Sequence, residues 1–126
     1  ILMPANSPQE VAEGIGQGID KGNLDGVLAL YEPNACLVPQ PGQLLQGHVA
    51  IREGIAAFIA LNPAMTGESR TVVQADDLAI VYTNWTLSGK TPEGDAVNMS
   101  GQSTDVMRSQ PDGTWLCVID NPFGGV

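Results

Sequence analysis

Apolar residues recur every fourth position at Val11, Ile15 and Ile19, directly behind Ser7-Pro8-Gln9-Glu10. That run is a capping box with proline at the first helical position, so the spacing predicts a helix with one apolar face, ending at Lys21-Gly22-Asn23. Gly14, Gly16 and Gly18 each weaken such a helix by about 1 kcal/mol relative to alanine. Packing must therefore hold it, and the small residues point to close backbone approach. Asn23 is placed to cap a short second helix lined by Leu24, Val27, Leu28 and Tyr31, which Glu32-Pro33-Asn34 stops. Ala35 to Val38 reads as a strand and Pro39 to Gln46 as a loop or irregular hairpin. Gly47 to Leu61 reads as a third helix, with Ile51, Ile55, Phe58 and Ile59 on one face and Asn62-Pro63 as its stop.

Beyond that point the period changes from helical to two. Strands are predicted over Thr66–Gln74, Leu78–Gly89, Val97–Arg108 and Thr114–Asn121, separated by Asp76-Asp77, by the loop Thr91–Asp95 and by the tight turn Pro111-Asp112-Gly113. Alternation places Val81, Thr83, Trp85 and Leu87 on one face of their strand, and Met99, Gly101, Ser103, Asp105 and Met107 on one face of the next. In the last strand, Trp115, Cys117, Ile119 and Asn121 share a face, opposite Leu116, Val118 and Asp120. Helices followed by an antiparallel meander make an α+β chain, its N-terminal helices packed on one face of a curved, mostly antiparallel sheet. With no repeat, linker or low-complexity stretch, residues 1–126 are expected to form a single domain.

Composition narrows the partners. The 126 residues are 43% hydrophobic, enough for a core, and carry 14 acidic against 5 basic residues, a formal charge of −9. That field repels polyanions, so nucleic acid and anionic membranes are excluded as expected partners. No apolar run approaches the ~20 residues that span a bilayer. With no leader-like start, a cytoplasmic location is expected. Cys36 and Cys117 lie in apolar, strand-like contexts and read as buried free thiols, with a disulfide between neighbouring strands as the open alternative. One histidine and no Cys-x-x-Cys leave no expectation of a zinc site, another metal or a cofactor.

The closing hairpin brings Asp105, Trp115 and Asp120 onto adjacent strands. A carboxylate inside a sheet fold must be paired or shifted in pKa, so acids beside tryptophan point to a pocket. Asp105 is the best functional residue, on an otherwise small and apolar strand face. Its alternative role is a structural carboxylate bonded to tryptophan or backbone, and the Trp85 indole N–H is a natural partner. His48, the sole histidine and a residue type suited to proton transfer near neutrality, sits at the start of the third helix, either at the rim of the pocket or merely solvated. Tyr31, Phe58, Trp85 and Trp115 are candidate walls, and Met65, Met99 and Met107 a candidate adaptable lining or ordinary core. Asp120-Asn121-Pro122-Phe123 reads as strand termination and C-terminal anchoring. Arg52 and Arg108 read as surface residues or partners of nearby acids.

The runs Gly22-Asn-Leu-Asp-Gly-Val-Leu-Ala-Leu-Tyr31, Asn34-Ala-Cys-Leu-Val38, Gly47-His-Val-Ala-Ile-Arg52, Trp85-Thr-Leu-Ser-Gly89, Ser103-Thr-Asp-Val-Met-Arg108 and Asp112-Gly-Thr-Trp115, taken in order, resemble the SnoaL-like and ketosteroid-isomerase-like proteins of the nuclear transport factor superfamily. The resemblance extends from about Val11 to Phe123. It implies a cone-shaped α+β barrel, a pocket between the helices and the concave sheet face, and a homodimer formed through the sheet. That superfamily includes isomerases, cyclases, dehydratases, hydrolases and binding modules, so function has to be argued from the site. By the resemblance, the isomerase base falls near Pro39 or Gln40 and the donor tyrosine near Ile15, none of which can serve, while the donor aspartic acid falls close to Asp105. Steroid isomerisation is therefore not expected. The expected function is binding of an apolar small molecule, as an isomerase-, cyclase- or hydrolase-type enzyme. Asp105 would be its acid/base, His48 a partner, and Tyr31, Trp85, Trp115, Met99, Met107 and Phe58 the lining. The alternatives are a non-catalytic ligand-binding module and a dimerisation domain.

Overall fold

The computed structural model describes residues 4–124. Helix α1 spans Pro8–Lys21: the Ser7 hydroxyl accepts from the Glu10 N–H, and Gly22, at φ 72°, closes the helix in the left-handed region that glycine adopts most readily. The expected face, Val11, Ile15 and Ile19, is buried. The glycines divide in their roles. A Cβ at Gly14 would lie 2.8 Å from Leu30 Cδ1, whereas one at Gly16 would meet nothing within 4 Å. Close approach therefore explains Gly14 and leaves Gly16 unexplained. Helix α2 spans Leu24–Leu28 and is capped by the Asn23 side chain on the Gly26 N–H. Helix α3 spans Gly47–Ile59 and buries Ile51 and Ile55.

The strands are β1 (Tyr31–Leu37), β2 (Leu45–Gln46), β3 (Ala64–Ala75), β4 (Leu78–Lys90), β5 (Ala96–Ser109) and β6 (Trp115–Asp120). They form one curved sheet in the order β2-β1-β6-β5-β4-β3. All pairings are antiparallel except β1 with β6, so the sheet is mixed. The helices pack on it in the α+β arrangement expected, and the sheet curls as a cone without closing, with β2 and β3 as its edges.

Tyr31 and the Glu32-Pro33-Asn34 run open β1 instead of closing a helix. The Cys117 N–H donates to the Leu30 carbonyl at 2.7 Å, and Tyr31 stands beside Cys117 in the parallel ladder. That pairing outweighs the helical reading of so short a segment. Pro33 falls where the β1–β6 register is irregular, between Tyr31 and Cys36, so its missing N–H interrupts no continuous ladder. Both cysteines are free, Cys117 buried and Cys36 half-buried.

Candidate functional site

The site begins with a bulge. Along the β5–β6 ladder, Met107 pairs with Cys117 but Val106 pairs with Ile119, so Val118 is an extra residue on β6. A one-residue insertion moves every later side chain to the opposite face. Ile119 is 41% exposed and Asp120 is buried, the reverse of strict alternation. Asp120 thus points inward, its carboxyl beside that of Asp105. The expectation that Asp120 merely ends the strand is corrected by that placement.

Each member of the pair is held by further donors. The Tyr31 hydroxyl donates to Asp120 Oδ2. The Asn121 N–H donates to Asp105 Oδ1 at 3.0 Å, and the Ser103 hydroxyl donates to Asp105 Oδ2 at 3.1 Å. Tyr31 is delivered by β1, Asp105 and Ser103 by β5, and Asp120 and Asn121 by the bulged end of β6. Burial, followed by the Asp120 charge, holds the Asp105 carboxyl well above the ordinary 3.8. Burial also raises Asp120, while hydrogen bonds from Asp105 and Tyr31 act the other way. The pair therefore retains one proton well above the ordinary carboxylate range, carried by Asp105, and titrates as a unit. Burial next to the same carboxylates pushes the Tyr31 phenol and the Cys117 thiol up, so both stay neutral.

Asp105 and Asp120 line one end of a cavity of about 170 Å³ between the helices and the sheet. Its walls include Ile15 and Ile19 from α1, Ile55 and Phe58 from α3, Leu37 from β1, and Thr83, Trp85 and Leu87 from β4. Exposed lining residues, Glu13 and Gln17 of α1 and Thr66 and Gly67 of β3, put the mouth between that helix and that edge strand. The chain after β6 closes another part of the wall. Pro122 lines the cavity, its carbonyl accepts the Trp85 indole N–H at 2.8 Å, and Phe123 meets the indole edge-on at 5.3 Å. Trp85 thus bonds to backbone and not to Asp105, which corrects the expected indole–carboxylate pair. Gly101 makes room for the ring, since a Cβ there would stand 2.9 Å from two indole carbons.

Of the residues singled out in the sequence, Asp105, Asp120, Trp85, Phe58 and Met65 line this cavity. Tyr31 is fully buried behind it, anchoring Asp120. The others lie elsewhere. His48 Nε2 sits 2.8 Å from the Tyr31 carbonyl at the start of α3. Met107 is fully buried in the core, and Trp115 joins that core. Met99 is half-buried opposite Leu87 and outside the lining. Arg52 and Arg108 pair with Asp25 and Glu32. Among the described residues no group of three or more His, Cys, Asp and Glu side chains is arranged to hold a metal ion. The sequence brought Asp120 onto the strand beside Asp105, but strict alternation put it on the face opposite Trp115 and Cys117, and no local signal marks the bulge that turns it inward.

A model of the SnoaL-like domain matches residues 13–117. The chain belongs to that family. The SnoaL-like chain also resembles solved structures of the same fold. One is a ketosteroid isomerase-like protein from Erwinia carotovora atroseptica SCRI1043, with a TM-score of 0.79 and 20% identity over 89% of this chain and 88% of that one. Another is a nuclear transport factor 2 superfamily protein from Salmonella enterica, with a TM-score of 0.75 and 16% identity over 89% of this chain and 84% of the other. A third, from Nostoc punctiforme PCC 73102, is a protein of unknown function with a cystatin-like fold, with a TM-score of 0.70 and 18% identity over 89% and 84%. No curated protein matches. At these identities the likenesses establish the fold, a SnoaL-like α+β cone whose members are often isomerases or ligand-binding proteins.

Proposed function

We propose that this SnoaL-like protein binds a compact apolar molecule in the cavity and that the Asp105–Asp120 pair moves a proton on it, chemistry of the isomerase, cyclase or hydrolase type. One observation carries the reading: two neighbouring buried carboxyls lie among the lining of a mostly apolar cavity with a mouth to solvent. Such a pair donates from its protonated member and accepts at its ionised one, so a single site both delivers and removes a proton. The Tyr31 hydroxyl favours the ionised form of Asp120 and orients it, and Ser103 and the Asn121 N–H orient Asp105. The positions that would carry an isomerase base and tyrosine, Pro39 or Gln40 and Ile15, offer neither group. The cavity is smaller than the roughly 300 Å³ at which drug-sized pockets begin, which argues against a steroid.

A second reading, a non-catalytic binding module, is favoured by the completeness of the pair's hydrogen bonds, because both carboxyls are satisfied without a ligand. Deuterium exchange at the carbons flanking the carbonyl of cyclohexanone, followed by NMR, separates the two. The catalytic reading expects exchange faster than in buffer and its loss in Asp105→Asn with the fold retained. Binding without faster exchange supports the module. Shifts confined to surface residues, with Trp85 and Phe58 unmoved, reject both.

Homodimer formation through the outer sheet face is part of the same proposal. That face is polar and exposed at Glu68, Asn84, Thr86, Ser100 and Gln102, and a monomeric mass in light scattering rejects it. The two free cysteines suit a reducing compartment such as the cytoplasm.

A further inference from the structure

The two carboxyls of the site are not equally served. Both oxygens of Asp105 accept from the chain, Oδ1 from the Asn121 N–H and Oδ2 from the Ser103 hydroxyl. Asp120 accepts the Tyr31 hydroxyl at Oδ2. Among the described residues no hydroxyl or N–H donates to its Oδ1, and the one occluded side-chain polar atom without a partner is Thr83 Oγ1. Asp120 Oδ1 is therefore not occluded. The residue as a whole is 8% exposed, and the space it borders is the cavity. A carboxylate oxygen accepts about two hydrogen bonds, so Oδ1 offers the cavity an acceptor even beside the Asp105 proton.

The charge at that point is also unanswered. With the proton of the pair on Asp105, the negative charge lies on Asp120, where burial limits its screening by water. No lysine, arginine or histidine lines the cavity. Arg52 and Arg108 pair with Asp25 and Glu32, and His48 meets the Tyr31 carbonyl. Buried charges in proteins are paired, because leaving one alone is costly. Among the described residues nothing supplies the counter-charge to Asp120.

The cavity limits what can supply it. At about 170 Å³ it is close to the roughly 150 Å³ that accommodates benzene in an apolar protein cavity. Walls such as Ile15, Ile19, Phe58 and Leu87 give a metal ion no further ligands. An anion is repelled by Asp120 and by Glu13 at the mouth. A ligand whose polar atom only accepts, a ketone or an ether, finds the Tyr31, Ser103, Asn121 and Trp85 donors already engaged. What remains is a positively charged donor on a compact hydrocarbon body.

We infer that the cavity takes a small organic ammonium, its N–H donating to Asp120 Oδ1 and a hydrocarbon body the size of one six-membered ring lying against Ile15, Phe58 and Leu87. That assignment rests on the cavity being the ligand site and adds the ligand class and the atom that anchors it.

Cyclohexylammonium, cyclohexanol and cyclohexanecarboxylate share one ring and differ in the charge of its substituent. Their binding to the protein at neutral pH is titrated by NMR, with the Trp85 indole N–H reporting on the cavity. The ammonium is expected to bind at least about tenfold more tightly than the alcohol, the worth of a hydrogen bond between charged groups, and the carboxylate not to bind. Asp120→Asn, close in shape and without the charge, should remove that preference and leave alcohol binding unchanged. Glu13→Gln should retain the preference. Equal binding of ammonium and alcohol by the unaltered protein, or tighter binding of the carboxylate, overturns the assignment and leaves the cavity reading standing, whether or not Asp120→Asn folds. A preference that survives Asp120→Asn, or that disappears in Glu13→Gln, moves the ammonium away from Asp120 and overturns it as well. Ammonium shifts confined to surface residues, while the alcohol still moves the Trp85 indole N–H, mean general attraction to a chain of formal charge −9 and overturn it too. If none of the three probes moves that indole N–H, the cavity is not a ligand site and both readings fall together.

Discussion

Strand β5 has two neighbours and meets them differently. Along β4 the register runs unbroken from Leu78 opposite Arg108 to Lys90 opposite Ala96, and inward and outward positions alternate as a period of two requires. Along β6 the ladder is short and carries an extra residue, Val118, between the Cys117 and Ile119 pairings. The regular side supplies a wall, with Thr83, Trp85 and Leu87 in the lining. The irregular side turns a carboxylate inward and makes a proton-sharing pair. A long regular ladder is the safer way to place apolar surface, whereas a bulge re-aims one side chain without displacing the strand.

Extending the irregularity by one residue has the largest expected effect. Deleting Val118 would leave Ile119 opposite Val106 and Asp120 inward, but an alanine inserted between Ile119 and Asp120 turns Asp120 outward and takes the carboxylate away from Tyr31 and Asp105. We expect a loss of more than about 4 kcal/mol, or failure to fold, in urea denaturation of the insertion variant. An insertion variant of unchanged stability would mean that the register of β6 does not place Asp120. Next comes Tyr31→Phe, which removes the phenol that donates to Asp120 and leaves that carboxylate short of a partner. A cost of about 1.5–3 kcal/mol is expected, and a cost near zero in the same denaturation assay would remove Tyr31 from the pair's support.

The regular side is tested through Gly101, which stands opposite Trp85 across the ladder. In Gly101→Ala the new methyl overlaps the indole, so a loss of about 1–3 kcal/mol and altered Trp fluorescence are expected. Unchanged emission would show that the ring has slack and does not form a fixed wall.

The pair should also be visible in stability against pH. Asp105 keeps its proton in the native state at pH values where the unfolded chain, near 3.8, has released it. The stability this contributes is present below that value and is lost as pH rises through the raised native value. Thermal melts from pH 4 upward should therefore show a decline that Asp105→Asn, with no proton to lose, makes shallower. Parallel curves for the two proteins would move the shared proton to another site. The smallest effect belongs to the outer face of the regular ladder: Ser100→Ala, exposed opposite Thr86, should change stability by less than about 0.5 kcal/mol. A larger loss that depends on protein concentration would point to an interface there.

The legibility of the chain follows the same division. The burial of Val11, Ile15 and Ile19, the Ser7 and Asn23 caps, and the inward faces of β4 and β5 all follow from local period and capping chemistry. Asp105 was legible because it lies on an uninterrupted strand. Asp120 was not, because nothing in Cys117-Val-Ile-Asp120 announces an inserted residue, and one residue reverses the face. Tyr31 was read as a helix end because its end of β1 is paired with β6, a partner more than eighty residues away in sequence.

The amino-acid sequence by itself determined the elements, their apolar faces and the α+β layering, because these depend on neighbours within a turn or two of chain. Tertiary structure alone decided which groups meet. The β5–β6 bulge turned Asp120 toward Asp105, the parallel β1–β6 pairing brought the Tyr31 hydroxyl to it, and the segment after β6 tied Trp85 to Pro122 instead of to a carboxylate. It also left Thr83 with a buried hydroxyl and no partner. The physical reason is range: capping and amphipathic period act over a few residues, whereas register, burial and the sharing of a proton arise only when distant segments exclude water together.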